Sequence, residues 1–378
     1  MKTTRIIIAG LMFILILTCS ALQAQQGTDE QEQAVQVDDS NPLFVIVKDG
    51  KYGFIDQTGK IVIEPQFDNA TSEEFMAFSE ELTPVGVNNR WGYIDKKGNI
   101  KINMQFDGAR SFSEGLAAVK IGDVKTGKWG YIDKAGEIVI NPQFILAEKF
   151  SEGLAAVRIG DWETGKWGYV DKTGDVVITP QFDVVDAFSE GLARVRIGDW
   201  KTGKWGYIDK AGNMIIEAQF DDAFLFSEGL AAVRIGDDLT GKWGYIDKTG
   251  KTVIEPQFFS VGPFSEGLAP VCLKDIQSEK WGFIDRTGKT VIELQCFLAG
   301  PFSEGLAVII PFHEGETWPS SSGYIDRTGK LVIDFQPYLG GQFSHGLAMA
   351  MTVKGFEPDT WGYIDKTGKY VWGPTGEH

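Results

Sequence analysis

The sequence predicts an all-β fold made of nine tandem antiparallel β-meanders of about 38 residues each, and three observations predict it. A phrase of a bulky residue, Gly, Tyr or Phe, Ile or Val, and Asp returns nine times. Strand-like alternation flanks each copy, and turns rich in Gly and Asp separate the strands. Recurrence at about 20–50 residues is the signature of repeat architectures, in which neighbouring units bury each other's apolar faces. The glycines of the phrase are Gly53, Gly92, Gly130, Gly168, Gly206, Gly244, Gly282, Gly323 and Gly362.

One unit illustrates the strand assignment. The segment Leu192–Gly198 alternates apolar and basic residues, which is the pattern of a half-buried strand. Two further strands are predicted over Lys204–Ile208 and Asn213–Phe220. The turn residues of Asp199–Gly203 and Asp209–Gly212 separate the three strands, because Asp bonds turn backbone and Gly accepts a positive φ. The sequence therefore predicts a three-stranded meander for each unit.

A connector follows each third strand and can hold a fourth short strand. In the same unit it covers Asp221–Gly229 and contains a Phe-Ser-Glu-Gly turn. The third strand of other units is expected to end at a proline, which cannot donate to a central ladder. These prolines are Pro65, Pro142, Pro180 and Pro256.

We expect an open superhelical stack of these meanders rather than a closed β-propeller. Neither end of the array, which spans residues 43–373, has an obvious strand to spare for closing a ring. Nine blades would also exceed the usual 4–8 of a propeller.

The glycine and tryptophan of the phrase are interpreted as structural. A glycine in the middle of a strand indicates the close approach of another backbone or ring. The tryptophans before it are expected to form a ladder within the stack. Seven of the eleven tryptophans occupy this position: Trp91, Trp129, Trp167, Trp205, Trp243, Trp281 and Trp361.

Residues 1–24 are predicted to be a secretory signal peptide. Lys2 and Arg5 precede the apolar run Ile6–Leu17, and a small residue, Ala24, marks a cleavage site. The run is shorter than the about 20 residues that span a bilayer, and no segment of the mature chain is long and apolar enough to do so. Lipidation of Cys19 is the alternative, although Thr18 precedes it where lipoprotein signals favour Gly, Ala or Ser. The protein is thus expected in the periplasm, at the cell surface or outside the cell.

The charge of the chain excludes some classes of partner. Removing Lys2 and Arg5 changes the formal net charge from −16 to −18. Nucleic acids and anionic lipids are bound through Lys and Arg, so neither is an expected partner. Residues 25–42 are polar and acidic and are interpreted as a disordered leader, and residues 374–378 as a C-terminal tail.

Two cysteines remain after residue 24. Cys296 replaces the phenylalanine of other units, such as Phe258, and is interpreted as a small core residue. Cys272 occupies the position of Arg234. A disulfide between them stays open as an alternative, because an exported compartment permits one.

The residues themselves resemble a known family. The run Lys-Trp-Gly-Tyr-Ile/Val-Asp-Lys-Thr-Gly, then Pro-Gln-Phe, then Phe-Ser-Glu-Gly-Leu-Ala is similar to the WG-repeat (KWG-repeat) proteins of bacteria. Clear copies cover Lys166–Phe182 with Phe188–Val195, and Lys242–Phe258 with Phe264–Val271. The resemblance implies β-rich tandem repeats that act as binding or interaction modules, and it supplies no catalytic positions.

No catalytic, metal or cofactor site is predicted. The three histidines, His313, His345 and His378, do not form a zinc-type or Ser/His/Asp arrangement, and His345 is interpreted as a surface turn residue. Asp residues recur at the hairpins and Glu residues in Phe-Ser-Glu-Gly. Each is interpreted as a group that bonds turn backbone or lies in a solvated bend. Calcium binding and a carboxylate-dependent, glycan-acting enzyme are the alternatives.

The best candidates for ligand contacts are tryptophans that the repeat does not require. Trp162 and Trp200 lie at equivalent loop positions, and Trp318 lies in an insertion. Exposed aromatics stack on sugar rings or anchor protein partners, whereas the structural alternative is that they cover neighbouring hairpins. We expect an exported, non-enzymatic scaffold that binds an envelope protein or glycan multivalently, with a purely structural surface spacer as the alternative.

Overall fold

A computed structural model describes residues 41–70, 78–272, 280–294, 296–311, 320–354 and 357–375 of the chain. The predicted signal peptide with Cys19, nearly all of the predicted leader, and Trp318 lie outside these residues. The chain divides at Phe220 and Asp221 into two compact units, here called the N-terminal and C-terminal units. Among the residues described, no helix is long and apolar enough to cross a membrane.

The N-terminal unit consists of nineteen strands that form five antiparallel sheets. Its strands are β1 (Phe44–Lys48), β2 (Lys51–Ile55), β3 (Ile61–Phe67), β4 (Asn69–Ala70), β5 (Leu82–Val87), β6 (Arg90–Asp95), β7 (Ile100–Phe106), β8 (Gly108–Ala109), β9 (Ala117–Ile121), β10 (Lys128–Ile132), β11 (Ile138–Phe144), β12 (Leu146–Ser151), β13 (Leu154–Ile159), β14 (Lys166–Val170), β15 (Val176–Phe182), β16 (Val184–Val185), β17 (Ala193–Ile197), β18 (Lys204–Ile208) and β19 (Met214–Phe220).

The C-terminal unit consists of sixteen strands that form four antiparallel sheets. Its strands are β20 (Asp222–Ala223), β21 (Leu230–Ile235), β22 (Lys242–Asp247), β23 (Thr252–Phe258), β24 (Ser260–Val261), β25 (Ala269–Cys272), β26 (Trp281–Ile284), β27 (Thr290–Glu293), β28 (Leu298–Ala299), β29 (Leu306–Ile310), β30 (Ser322–Asp326), β31 (Leu331–Gln336), β32 (Leu339–Gly340), β33 (Leu347–Lys354), β34 (Glu357–Asp365) and β35 (Tyr370–Thr375).

Each sheet after the first is a four-stranded meander, so the predicted three strands and the suggested fourth short strand are confirmed. The fourth strand comes from the connector and pairs with the strand that follows it, as in the order β16-β17-β18-β19. The first sheet, β1-β2-β3, has three strands. We number the sheets 1 to 9 in chain order.

Within each unit the sheets pack face to face, and this contradicts the expected open stack of half-buried meanders. One core cluster joins Tyr169 and Ile178 of sheet 4 to Phe188 and Val195 of sheet 5. The strand that follows the Ser-Glu-Gly turn is correspondingly buried on both faces in several sheets, as in Leu154–Val157 of β13. Small four-stranded meanders that pack in this way are the blades of β-propellers, and the open superhelical arrangement is therefore wrong.

A bulge in the third strand explains why the phrase requires glycine. Trp167 pairs with Phe182 and Tyr169 with Ile178, so Gly168 alone faces three residues of β15. A Cβ atom on Gly168 would lie 2.4 Å from the Ile178 carbonyl oxygen. The predicted close approach to glycine is thus confirmed. The prediction that a proline ends the third strand is wrong, because Pro180 lies within β15 at this bulge, where no ladder N–H is needed.

The tryptophans of the phrase pack on their own sheets, which confirms a structural role. Trp205, Trp243 and Trp281 are buried, and the rings of Trp91, Trp129 and Trp167 cover core clusters while half-buried. A cation also lies over some of these rings: the Arg194 guanidinium carbon is 4.1 Å from the centroid of Trp205.

The two described cysteines are not in a disulfide and lie in one core cluster. Cys272 is paired across the sheet with Trp281. Burial, with a smaller effect of nearby Cys272, raises the pKa of Cys296 to about 12. The interpretation of Cys296 as a small core residue is confirmed, and the alternative of a disulfide is not realised.

We predict that Gly168→Ala lowers the free energy of unfolding by about 2 kcal/mol, because the new methyl group must displace backbone. Urea unfolding followed by circular dichroism measures this change. Gly341→Ala is the matched control, since a Cβ there meets its nearest neighbour, the Met349 carbonyl oxygen, at 3.7 Å. Equal stability of the Gly168 variant and the parent would contradict the assignment of the bulge contact.

We predict that Thr83→Val stabilises the protein by about 1 kcal/mol, because valine removes an unpaired hydroxyl and keeps the volume. Thr83 is fully buried, and its Oγ1 has no hydrogen-bond partner among the described residues. Seven other units carry alanine here: Ala117, Ala155, Ala193, Ala231, Ala269, Ala307 and Ala348. The same urea titration tests the prediction, and a less stable variant would show that the hydroxyl is satisfied.

Candidate functional site

Every complete sheet has two ends with different sequences. The strand that follows the Ser-Glu-Gly turn, such as β13, runs from this turn to a loop, for example from Glu152 to Asp161. The next strand, here β14, returns to the hairpin that begins at Asp171. The loop between these two strands precedes the second strand of a repeat. The Ser-Glu-Gly turn and this hairpin therefore share one end, here called the Glu–Lys end. The loop between the first two strands lies at the opposite end, here called the loop end.

The Ser-Glu-Gly turns are tight hairpins with two residues of positive φ. In sheet 3, Ser113 and Leu116 exchange backbone hydrogen bonds of 2.9 and 3.2 Å. Glu114 and Gly115 between them have φ values of 54° and 87°. This is the geometry of a type I′ turn, in which a glutamate at the first position is strained unless other contacts hold it.

The glutamate of six of these turns bonds the next sheet. The Glu114 carboxylate accepts the Gly153 N–H at 3.2 and 3.0 Å and lies 3.1 Å from the Lys172 ammonium. Both partners belong to sheet 4. The same glutamate-to-glycine bond recurs in the pairs Glu80 with Gly115, Glu152 with Gly191, Glu228 with Gly267, Glu266 with Gly305 and Glu304 with Gly346.

Two further hydrogen bonds join the same pair of sheets. Ser113 Oγ donates to the Phe150 carbonyl at 2.7 Å, and Tyr131 Oη donates to the Glu148 carbonyl at 2.8 Å. Burial raises the pKa of Tyr131 well above its usual value, so the phenol stays a donor. We call the set of Glu, Ser and Tyr bonds the latch.

The latch corrects the interpretation of these glutamates as residues of solvated bends. A side chain such as Glu152 keeps only 28% of its area exposed and contacts backbone 39 residues away. His345 takes the glutamate position in sheet 9, with φ of 50°, and its Nδ1 lies 3.0 Å from Ser344 Oγ. The prediction that His345 is a turn residue is confirmed.

At the loop end, aspartates fold the loops onto their own backbone. Asp161 Oδ1 accepts the N–H groups of Glu163 and Thr164, and Thr164 Oγ1 donates to its other oxygen at 2.7 Å. These bonds, chiefly from Thr164, lower the pKa of Asp161. Asp123, Asp199 and Asp237 do the same in the equivalent loops. The interpretation of these aspartates as turn-bonding groups is confirmed.

The side chain after each of these aspartates points to solvent. Trp162 is 52% exposed, Trp200 77% and Val124 84% in the N-terminal unit. The equivalent residue in the C-terminal unit, Asp238, keeps 86% of its side chain exposed. These side chains are thus presented on capped loops rather than buried against hairpins.

The sequence varies at the loop end and repeats at the Glu–Lys end. Sheets 1 and 2 have two-residue hairpins at the loop end, with positive φ at Asp49 and Gly50 and at Asn88 and Asn89. Sheets 3 to 6 have the capped loops, and sheet 9 has the extended hairpin β33-β34. The packing of sheets requires the repeated end, whereas nothing in the latch constrains the varied end.

The described residues show no group of three or more His, Cys, Asp or Glu side chains that could hold a metal ion. The hairpin aspartates are engaged locally: Asp209 Oδ1 accepts the N–H groups of Ala211 and Asn213 at 2.9 and 2.8 Å.

A comparison with protein families finds that the sequence model of one family, described as WG containing repeat, matches eight stretches of the chain. They are residues 52–91, 91–124, 129–161, 167–199, 205–237, 243–275, 281–310 and 323–352. Together these stretches cover more than half of the chain. The chain belongs to the WG-repeat family.

Solved structures that are similar to this WG-repeat protein share little sequence with it. A eukaryotic initiation factor is 12% identical over 87% of this chain and 94% of its own, with a TM-score of 0.60. AztD from Citrobacter koseri is 13% identical over 87% of this chain and 99% of its own, with a TM-score of 0.41. The β-propeller domain of the trilobed protease from Pyrococcus furiosus is 12% identical over 71% of this chain and 98% of its own, with a TM-score of 0.40.

The likeness to the initiation factor concerns the fold alone, and the successive small antiparallel sheets within each unit are blades of the β-propeller type. The predicted preference for an open superhelical stack is corrected accordingly. A search of curated proteins finds no match to the chain.

We predict that acid destabilises the protein through its turn aspartates. Hydrogen bonds, first from Asn213, lower the pKa of Asp209, and those from Thr173 lower that of Asp171. Because the folded pKa is lowered, this stabilisation is complete above the unfolded pKa of about 4 and is lost as the pH falls through the folded pKa. The Asp171→Ala/Asp209→Ala variant should therefore have a lower Tm than the parent at pH 7, and the difference should shrink towards pH 3. A difference in Tm that stays constant with pH would contradict this account.

Proposed function

We propose that this WG-repeat protein is an exported, non-catalytic recognition platform. Its loop end binds a protein or a glycan of the cell envelope. The observation that carries the proposal is the exposure of Trp162 and Trp200 on capped loops at the end of the sheets where the repeats differ. Large aromatic side chains that are already ordered lose little conformational entropy on binding, so such residues dominate binding surfaces.

The rigidity of the loops supports this proposal. Arg158 Nε donates to the Gly165 carbonyl at 2.9 Å, and its Nη2 donates to the Trp162 carbonyl at 3.1 Å. The Lys120 ammonium lies 3.2 Å from the Val124 carbonyl in the equivalent loop of sheet 3. These two loops are thus held both by their own aspartates and by a basic side chain of the preceding strand.

The repetition of the loops favours a multivalent partner. Weak sites on one rigid backbone bind a repetitive ligand with a high effective concentration, without new contacts. A structural spacer, the alternative to this function, gives no reason for exposing large apolar side chains to water.

We predict that the Trp162→Ala/Trp200→Ala variant loses retention of its envelope ligand by about tenfold or more, since hot-spot truncations cost about 2 kcal/mol each. Affinity capture from separate fractions of envelope protein and envelope polysaccharide measures the retention. The Tm of the variant should stay within about 2 °C of the parent, because exposed side chains contribute little to folding.

Lys210→Gln at the Glu–Lys end is the control for this experiment, and it should retain the ligand as the parent does. Equal retention by the tryptophan variant would move the binding site away from these loops. Absence of retention from both fractions would favour the spacer over the platform.

A further inference from the structure

An arginine precedes each exposed tryptophan of the N-terminal unit on the adjoining strand. Arg158 on β13 and Arg196 on β17 occupy equivalent positions, four residues before Trp162 and Trp200. The bond from Arg158 Nη2 to the Trp162 carbonyl fixes the guanidinium relative to its loop. Each of these two loops therefore combines one exposed indole with one basic group.

Arg196 has donors that the protein leaves unused. Its Nε is buried without a hydrogen-bond partner, and its guanidinium donates to no group among the described residues. The group lies over the ring of Trp205, with the guanidinium carbon 5.6 Å from the centroid. A guanidinium carries five N–H donors in a planar fork that matches a carboxylate or sulfate. The unused donors thus suit an anionic acceptor supplied by a ligand.

The carboxylates near Arg196 have other partners. Asp199 Oδ1 accepts the N–H groups of Lys201 and Thr202 in its own loop. Asp183 accepts the Gly198 N–H at 2.8 Å and forms an ion pair with Lys166. These acids are hydrogen-bonded to backbone and paired with lysine. Those bonds lower the pKa of both acids, and Arg196 contributes less than they do, through its charge, but forms no hydrogen bond with either.

The side chains around the indoles are polar. Trp162 is followed by Glu163 and Thr164, and Trp200 by Lys201 and Thr202. The Lys201 ammonium lies 4.9 Å from the centroid of the Trp200 ring. Protein hot spots fill apolar pockets, and these polar loop residues do not form one. A flat ring with polar substituents fits this surrounding better than a buried hydrophobic anchor does.

We propose, on the basis of the function proposed above, that the loops 161–165 and 199–203 bind an acidic polysaccharide. The C–H face of one sugar ring stacks on the negative face of an indole, and the acid group of the sugar pairs with the adjacent guanidinium. Two such loops on consecutive sheets suit a polymer with a repeating acidic unit. The net charge of −16 does not prevent this, since salt screens charges beyond about 8 Å in physiological conditions.

Titration calorimetry of the purified protein with three polymers of matched length tests this proposal. The polymers are alginate, which carries carboxylates, dextran sulfate, which carries sulfates, and neutral dextran. We expect at least one acidic polymer to bind about tenfold more tightly than neutral dextran, through charge-assisted hydrogen bonds. The polymer that binds then identifies the acid group.

Variants assign the binding to the two loops. Arg196→Gln and the Trp162→Ala/Trp200→Ala pair should each weaken binding by about tenfold. Lys120→Gln is the matched control, because it removes the same charge at the equivalent position of a loop without tryptophan, and it should change the affinity less than about twofold. Arg196→Lys keeps the charge and loses the planar fork of donors, so its affinity should lie between those of the parent and Arg196→Gln. This intermediate affinity distinguishes a loss of recognition from misfolding.

Three results would overturn the proposal. Neutral dextran could bind as tightly as the acidic polymers, or Arg196→Gln and Lys120→Gln could have equal effects. The third is that no polysaccharide binds while an envelope protein is retained through Trp162 and Trp200. That last outcome would leave the recognition platform intact and assign it a protein partner, whereas loss of both activities would remove the platform as well.

Discussion

The carboxylate in each Ser-Glu-Gly turn is the group on which the arrangement of neighbouring sheets depends. The backbone of this glutamate is in a left-handed conformation, as at Glu114 with φ of 54°. This conformation costs free energy that other contacts must offset. These contacts come from the next sheet, where a glycine N–H and a lysine bond the same carboxylate. Because these bonds run from one sheet to the following sheet within a unit, the repeats of a unit stabilise their neighbours.

The two ends of the sheets differ in how far they depend on the neighbouring repeat. At the Glu–Lys end, the glutamates of six turns have a partner in the next repeat, so the motif must recur at a fixed spacing. At the loop end, the aspartate of each loop bonds only its own backbone, as Asp161 does. The residue after that aspartate is free to change, and it is Val124, Trp162, Trp200 or Asp238 in four successive sheets. A scaffold of this kind can vary its recognition surface without loss of stability.

The sequence predicts local structure well and the relation between repeats poorly. Strands, hairpins and the requirement for glycine at positions such as Gly168 follow from alternation and turn chemistry within a single repeat. The arrangement of the sheets does not, because it depends on contacts such as Tyr131 with Glu148 that join residues of different repeats. The candidate site at the loop end was likewise predicted only in part. The tryptophans stood out as departures from the repeat, whereas Arg158 and Arg196 looked like part of a solvated face. The recurrence of Ser-Glu-Gly and of the hairpin lysine at one spacing was the available sign of the latch.

Hydrogen exchange in a Glu114→Gln/Glu152→Gln variant tests the latch most directly. The parent should protect the amide protons of Gly153 and Gly191, because the two carboxylates accept them. Our account predicts that the variant loses this protection at both glycines, has a lower Tm and keeps the protection of the central strands β14 and β18. Unchanged protection of both glycines, with an unchanged Tm, would show that the glutamates do not hold the sheets together.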